Sequence, residues 1–466
     1  MEFRVLQGPE KLRQVTTLLD SLEKDLRDKS LRSAQRVQTL LQLRQHGTSP
    51  DNAGPIYSKK GIEVLSKYSV DGETTDVRRA AMRCVANALL LDSNMRQLFV
   101  DTGRGGKLAE MLKCDSSDDE MVISRILFLS TYDTDMDFDA LINDHALGDN
   151  VNYQILRHSK QFPKSGGKPL SQMDELAFID TLKLVFNVAK LFQDLAPTFS
   201  PSIPYLFKVI SRIDIPLKPL DGLLGTLLNC LSTLDLENKK GKPYEGNPLF
   251  PTFNQNCNVD KLINILDQAV SAYDPLKLET KAIPLLHSLV TIHELAPDGP
   301  RKYMQWLLLP DDNDRNRPIG QSDTLSSKLL KLSTMPYPNL KVAISELMFV
   351  LSGKNVESLT KNIGYGFAAG LLASRGIDIP KSAGEAFSTN PQGLDPDINP
   401  ITGQRWDREK EDTGPPMTRE EKEREAERLF VLFERAKANG ILGVENPVTQ
   451  ALREGRFEEL PDSDSD

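Results

Sequence analysis

The sequence predicts an all-α protein, and three observations carry that reading. Apolar residues recur at helical spacing along most of the chain, and few segments alternate with period two. The helical runs are joined by short polar turns. A long, strongly apolar helix also returns at a coarse rhythm of roughly 40–60 residues, the spacing of armadillo or HEAT repeats. That rhythm fits a helical solenoid and leaves separate globular helical domains as the alternative.

The elements follow in order. Residues 9–45 hold two helical patterns, LRQVTTLLDSLEKDL and LRSAQRVQTLLQLRQ, broken near Asp28-Lys29-Ser30. Residues 59–114 add three runs: KKGIEVLSKY, DVRRAAMRCVANALLLD and NMRQLFVDTGRGGKLAEMLK. Further runs are MVISRILFLST, DELAFIDTLKLVFNVAKLFQD, YLFKVISRI, LDGLLGTLLNCLSTLD and VDKLINILDQAVSAY. The last of the series are LKLETKAIPLLHSLVTIHEL, GPRKYMQWLLLP, DTLSSKLLKLS and PNLKVAISELMFVLSG. Residues 377–416 are rich in Pro, Gly, Asp and Asn, lack apolar periodicity, and read as an extended linker.

Beyond the linker, residues 417–440 form one well-specified helix. Thr418 is a good N-cap and Glu421 closes a capping box. Pro415 and Pro416 keep the preceding chain out of the helix. Leu429, Phe430 and Phe433 belong to an apolar stripe, and Asn439-Gly440 supplies the stop. A tethered amphipathic helix must dock this stripe on its own chain or on a partner. Residues 441–466 are a polar, acidic tail in which Ser463 and Ser465 sit among acids. They are candidate phosphorylation sites, or simply part of a solvated tail.

Composition narrows the function. The 466 residues are 39% hydrophobic and 26% charged, with a net charge of -9, so nucleic acid is not an expected partner. The four cysteines are scattered without a CxxC pair, which fits reduced thiols in a cytoplasmic protein rather than a disulfide framework or a zinc site. No run approaches a membrane span, and no signal segment opens the chain. TGRGGKL at 102–108 lacks the spacing and the hydroxyl of a phosphate-binding loop. GYGFAA at 364–369 matches GxGxxA formally but lacks a surrounding βαβ unit. The five histidines form no metal or catalytic constellation. A binding protein without catalytic residues, cofactor or metal is expected.

The candidate binding residues are polar groups inside apolar helices. Asn87 in RCVANALLL, Asn187 in KLVFNVAKLF and Asn229 in GTLLNCLSTL are each a poor choice for a helix interior. Three in similar surroundings suggest a ladder on the inner helices of a solenoid, where amides pair with a bound peptide. Amides satisfied within the solenoid are the alternative. Arg44 and Arg125 lie on comparable helices and are suited to a carboxylate, or to surface solubility.

Four stretches, in order, resemble the synembryn family of non-receptor exchange factors and chaperones for heterotrimeric G-protein α subunits. LLLP is followed by RPIGQSDTLSSKLLKLST at 317–334, ahead of a helix ending ELMFVLSG. IGYGFAAGLLASRG at 363–376 is similar to the family's TGYGNAAGLLAARG, and NPITG at 399–403 to its NPVTG. MTREEKEREAERLFVLFERAKANGIL resembles the family's C-terminal helix. Two departures stand out. Leu40 replaces a family arginine one turn before Arg44, and residues 377–395 lack the acidic serine/threonine cluster of animal members.

The resemblance implies a right-handed armadillo-like superhelix over residues 1–376. Its concave face would take the C-terminal helix of Gα near Arg44, Asn87, Arg125, Asn187 and Asn229. The helix carrying Leu429, Phe430 and Phe433 would rest on the Gα nucleotide-binding domain. It further implies a monomer that binds GDP-bound and nucleotide-free Gα, drives GDP release by binding alone, and reaches the cell cortex only through Gα. An armadillo-type peptide scaffold or transport adaptor without exchange activity is the competing reading.

Overall fold

The computed structural model describes all residues except 1–5, 164–169, 238–245, 378–397, 400, 410–417, 439–452 and 454–466. Backbone contacts divide the chain into two compact units, Met1–Asp311 with Gly320–Asn355, and Asp312–Ile319 with Val356–Asp466. Among the described residues the chain is all-α, and no helix is long and apolar enough to cross a membrane.

The first unit opens with α1 (Gly8–Asp28), α2 (Ser33–His46), α3 (Lys59–Asp71), α4 (Thr75–Leu91), α5 (Asn94–Val100) and α6 (Gly105–Met111). Next come α7 (Ser117–Leu129), α8 (Phe138–Asn143), α9 (Leu147–Gln161) and α10 (Gln172–Leu191). After a 3-10 segment, Gln193–Ser202, follow α11 (Ile203–Arg212), α12 (Gly222–Leu231), α13 (Cys257–Ala272) and α14 (Pro275–Lys281). The unit closes with α15 (Ile283–Leu295), α16 (Asp298–Leu308), α17 (Leu325–Ser333) and α18 (Pro338–Leu351).

Two layers result, as a solenoid requires. Helices α2, α4, α7, α10, α12, α15 and α18 pack each on the next to form one continuous row. Helices α1, α3, α9, α11, α13 and α17 back that row. The row helices start at strong caps: Thr74 accepts from the amide of Val77, Ser116 from Asp119 and Ser171 from Asp174. Their buried faces repeat at helical spacing, as Val77, Ala81, Val85 and Leu89 do on α4, all fully shielded from solvent. Burying each large side chain of this kind contributes about 2 kcal/mol.

The structure corrects the sequence reading in three places. The run from Asn94 to Lys113 is two helices, because the chain turns at Gly103 with a positive φ of 68° that a helix cannot accommodate. The run from Leu276 to Leu295 also splits, at Ala282, where Pro284 opens α15 as a first-turn proline. Helix α9 escapes apolar periodicity because much of its buried face is polar. Asn150 donates to the carbonyl of Ala109 at 2.9 Å, and Gln154 to those of Leu112 at 2.6 Å and Cys114 at 2.7 Å. His158 stacks on Phe178 at 4.6 Å and meets the buried Glu120 carboxylate, which also takes bonds from Arg157 and Thr181.

The second unit contains α19 (Val356–Ile363), α20 (Tyr365–Ser374) and α21 (Arg419–Ala438), with a 3-10 turn at Asp314–Asn316 and another at Trp406–Arg408. Inside the stretch that composition reads as linker, residues 398–399 and 401–409 close a small hairpin through an Ile398–Arg405 bridge. Composition missed it because polar turn residues build it. The Asn399 side chain accepts from the amides of Ile401 and Thr402, and Gly403 adopts a φ of 65°.

Candidate functional site

The five polar candidates of the first unit fall one each on five successive row helices: Arg44 on α2, Asn87 on α4, Arg125 on α7, Asn187 on α10 and Asn229 on α12. Their surroundings separate them. Arg44 is exposed and Asn87 and Asn229 are half-buried, and none of the three side chains makes a hydrogen bond among the described residues. Arg125 instead spans the α7–α10 seam, with its Nε 2.8 Å from Asp180 Oδ2. Asn187 is buried and donates from Nδ2 to Thr131 Oγ1 at 2.7 Å. Leu40, where the family resemblance expects an arginine, is fully buried, while Leu41 beside it is 41% exposed.

Helical spacing extends the exposed stripe beyond these residues. Arg125 is followed by Phe128 and Tyr132, whose rings meet edge to face at 5.4 Å. Helix α10 brings Lys183, Phe186 and Lys190 onto one face by their spacing of three and four. Lys183 Nζ lies 5.7 Å from the Phe128 ring, Lys190 Nζ lies 5.2 Å from Phe186, and Arg96 covers Tyr132 at 5.4 Å. Near the C-terminal ends of α4 and α10, Leu90 is 55% and Leu191 54% exposed. Amide, cation, aromatic ring and exposed leucine thus alternate along the row. This mosaic suits an amphipathic segment that carries a carboxylate and an apolar face. Sequence reading missed Phe128, Lys183, Phe186 and Lys190, although their spacing from Arg125 and Asn187 carried the signal.

Ion pairs hold the row in register. Arg79 bridges α4 to Asp119 of α7 at 2.8 Å, and Arg83 reaches Asp118 at 2.6 Å. Burial pushes the Cys84 thiol on α4 up to about 12, and the thiol donates to the Leu40 carbonyl at 3.3 Å, so it packs as a neutral group.

In the second unit the GxGxxA stretch opens α20, and a protein carbonyl takes its amide: Gly366 N donates to Ile401 O at 3.1 Å. The buried Arg315 guanidinium donates to the carbonyls of Gly403 at 3.0 Å, Lys361 at 3.2 Å and Asn362 at 3.1 Å, capping the end of α19. The hairpin is also tied by Ile319 N to Thr402 O at 3.1 Å and Arg405 N to Arg315 O at 2.9 Å. Close approach excludes side chains at two glycines. A Cβ on Gly364 would lie 2.7 Å from Ile401 O, and one on Gly403 would lie 2.2 Å from Ile319 Cδ1.

Helix α21 has the capping box its sequence predicts. Thr418 N donates to Glu421 Oε2 at 3.0 Å, and Glu421 N donates back to Thr418 Oγ1 at 3.3 Å. Leu429 is 59% and Phe430 39% exposed, and Phe433 is half-buried. Ser463, Ser465 and the Asn439-Gly440 stop lie outside the described residues.

Comparison with known proteins follows the same lines. A family model described as guanine nucleotide exchange factor synembryn matches residues 39–456. "Chaperone Ric-8A" of Macaca fascicularis is 25% identical over 462 residues, covering 89% of this chain and 83% of that protein. "Chaperone Ric-8A" of Xenopus tropicalis is 34% identical over 194 residues, 40% of this chain and 35% of the frog protein. A synembryn-like chaperone of Schizosaccharomyces pombe is 29% identical over 167 residues, 33% of this chain and 32% of that one. The chain therefore aligns with only about a third of the frog and yeast proteins' length but with most of the macaque one. Because the family model spans most of the 466 residues, this chain belongs to the synembryn family of guanine nucleotide exchange factors.

Proposed function

We propose that this chain is a chaperone and guanine-nucleotide exchange factor for heterotrimeric G-protein α subunits, acting by binding without making or breaking a bond. The α2–α12 stripe takes the C-terminal helix of Gα, and α21 makes a second contact on the Gα nucleotide-binding domain. Tighter binding to nucleotide-free Gα than to the GDP-bound form drives GDP release, and GTP binding reverses the preference. The protein works as a cytoplasmic monomer, drawn to the cell cortex only through Gα. The observation that carries this reading is that Arg44, Asn87 and Asn229 stand on three helices of one row, α2, α4 and α12, with side chains that make no hydrogen bond among the described residues. Half-buried amides of this kind are suited to the backbone and terminal groups of a bound segment.

The test is nucleotide exchange on each available Gα, followed by the uptake of a labelled GTP analogue with and without this protein. Acceleration on at least one Gα is expected. Binding of a Gα C-terminal peptide without acceleration on any Gα would instead make the chain a peptide scaffold.

A further inference from the structure

We propose that a cavity between the start of α1, the end of α2 and the turn that follows α2 binds a phosphate group, free or as the monoester of a small polar molecule, with Lys11 and His46 as its ligands. The proposal does not depend on Gα. The cavity measures about 490 Å³, within the range of roughly 300–1,000 Å³ that holds small molecules, and it exceeds what a bare phosphate fills.

Three features build the site. The first is His46, which lines the cavity, is 7% exposed, and makes no side-chain hydrogen bond among the described residues. Burial, with the Lys11 charge second, pushes its imidazole below the ordinary value. At neutral pH the ring is therefore neutral, with one nitrogen able to donate. A polar group this buried is costly to leave unpaired, so a ligand that meets it gains affinity.

The second is Lys11, 8% exposed, whose Nζ donates to the carbonyls of Ser49 at 3.1 Å and Asp51 at 2.6 Å. An ammonium carries three protons, so one remains for a ligand. The two bonds tie α1 to the turn after α2, where Asn52 lines the cavity with a positive φ of 55°. The third is the start of α1. Gln7 gives this 21-residue helix no side-chain cap, and the amide of Gly8, which lines the cavity, finds no acceptor among the described residues. A helix start of this kind presents partial positive charge to an anion.

Ammonium, imidazole and helix-start amide together form a donor set suited to phosphate. Asp51 also lines the cavity and opposes an anion, while its Oδ2 accepts from Ser49 Oγ at 3.2 Å. A bound phosphate beside His46 counters the effect of burial and raises the pH at which the ring takes up its proton.

The experiment titrates inorganic phosphate, a glycerol phosphate and acetate into the full chain by calorimetry, at ionic strength held constant with sodium chloride. It is paired with NMR of isotope-labelled histidine rings, the His46 signal being the one lost in His46→Gln. Phosphate should bind saturably, move the His46 signal alone among the five histidines, and raise the pH at which it titrates. Tighter binding of the glycerol phosphate marks a monoester as the ligand, and tighter binding of inorganic phosphate marks the free ion. Lys11→Gln and His46→Gln should each weaken binding about tenfold. Asp51→Asn removes no donor and should tighten it about threefold, which guards against a loss caused only by a disturbed fold. Absence of saturable binding, binding that leaves the His46 signal in place, acetate binding as tight as phosphate, or one affinity shared by all three variants overturns the proposal.

Discussion

Arg125 on α7 and Asp180 on α10 form an ion pair across two row helices, with Nε and Oδ2 2.8 Å apart and the aspartate only 3% exposed. Lys183 adds a longer contact to the same carboxylate at 3.4 Å. Removing the arginine strands a charge that water barely reaches. Arg125→Ala should therefore lower stability by about 2 kcal/mol, less than a fully buried pair because Lys183 remains. Adding Asp180→Asn should recover much of that loss. Chemical denaturation of the three proteins checks it, and additive losses would mean that the pair is not coupled.

Asn87 and Asn187 look alike in the sequence and should behave oppositely. Asn87 has no side-chain hydrogen-bond partner among the described residues, so Asn87→Ala should leave the melting temperature nearly unchanged and weaken Gα-peptide binding about tenfold. Asn187 is 6% exposed and bonded to Thr131, so Asn187→Ala should cost about 1–2 kcal/mol of stability. Its effect on affinity should be smaller than that of Asn87→Ala. Thermal melts paired with peptide titrations decide the matter.

Helix α21 holds Leu429 and Phe430 exposed on a helix whose capping box is already satisfied. Leu429→Asp with Phe433→Asp should preserve the helix, because both sites lie away from the cap. Exchange activity should fall substantially, since each change forfeits about 2 kcal/mol of apolar burial on the partner. Affinity for an isolated Gα C-terminal peptide should stay the same. Loss of peptide binding together with a much lower melting temperature would show that the stripe packs on its own chain.

His293 is 4% exposed on α15, and its Nε2 has no hydrogen-bond partner among the described residues. Burial, reinforced by the nearby charge of Arg301, pushes its imidazole down to about 4. The unfolded chain takes up a proton near the ordinary value of about 6.5, while the folded one stays neutral. The neutral histidine thus contributes stability that is fully present above about pH 6.5 and is lost as the pH falls towards 4, on the order of 3 kcal/mol. His293→Gln removes this term. Denaturation between pH 7.5 and 4.5 should show a shallower acid slope for the variant, and parallel curves would rule the histidine out.

The sequence by itself determined most of the helices and the cap of the last one. Helix formation is local: the Thr418–Glu421 box and the i, i+4 face of Val77, Ala81, Val85 and Leu89 are written in neighbouring residues. It also placed all five polar candidates on apolar helices, while the packing of those helices in one row is a matter of tertiary contacts. What it left undecided was which of them carry a partner already. Asn187 and Asn87 differ only in whether a residue more than fifty positions away, Thr131, supplies a hydroxyl at the right distance. Helix α9 was hidden for the same reason, since its polar face bonds carbonyls some forty residues earlier. The hairpin was hidden because Arg315 reaches 88 residues along the chain to Gly403. Periodicity records which side of a helix avoids water. Which polar atoms satisfy each other is fixed only when segments distant in sequence pack together, and the tertiary structure decides that.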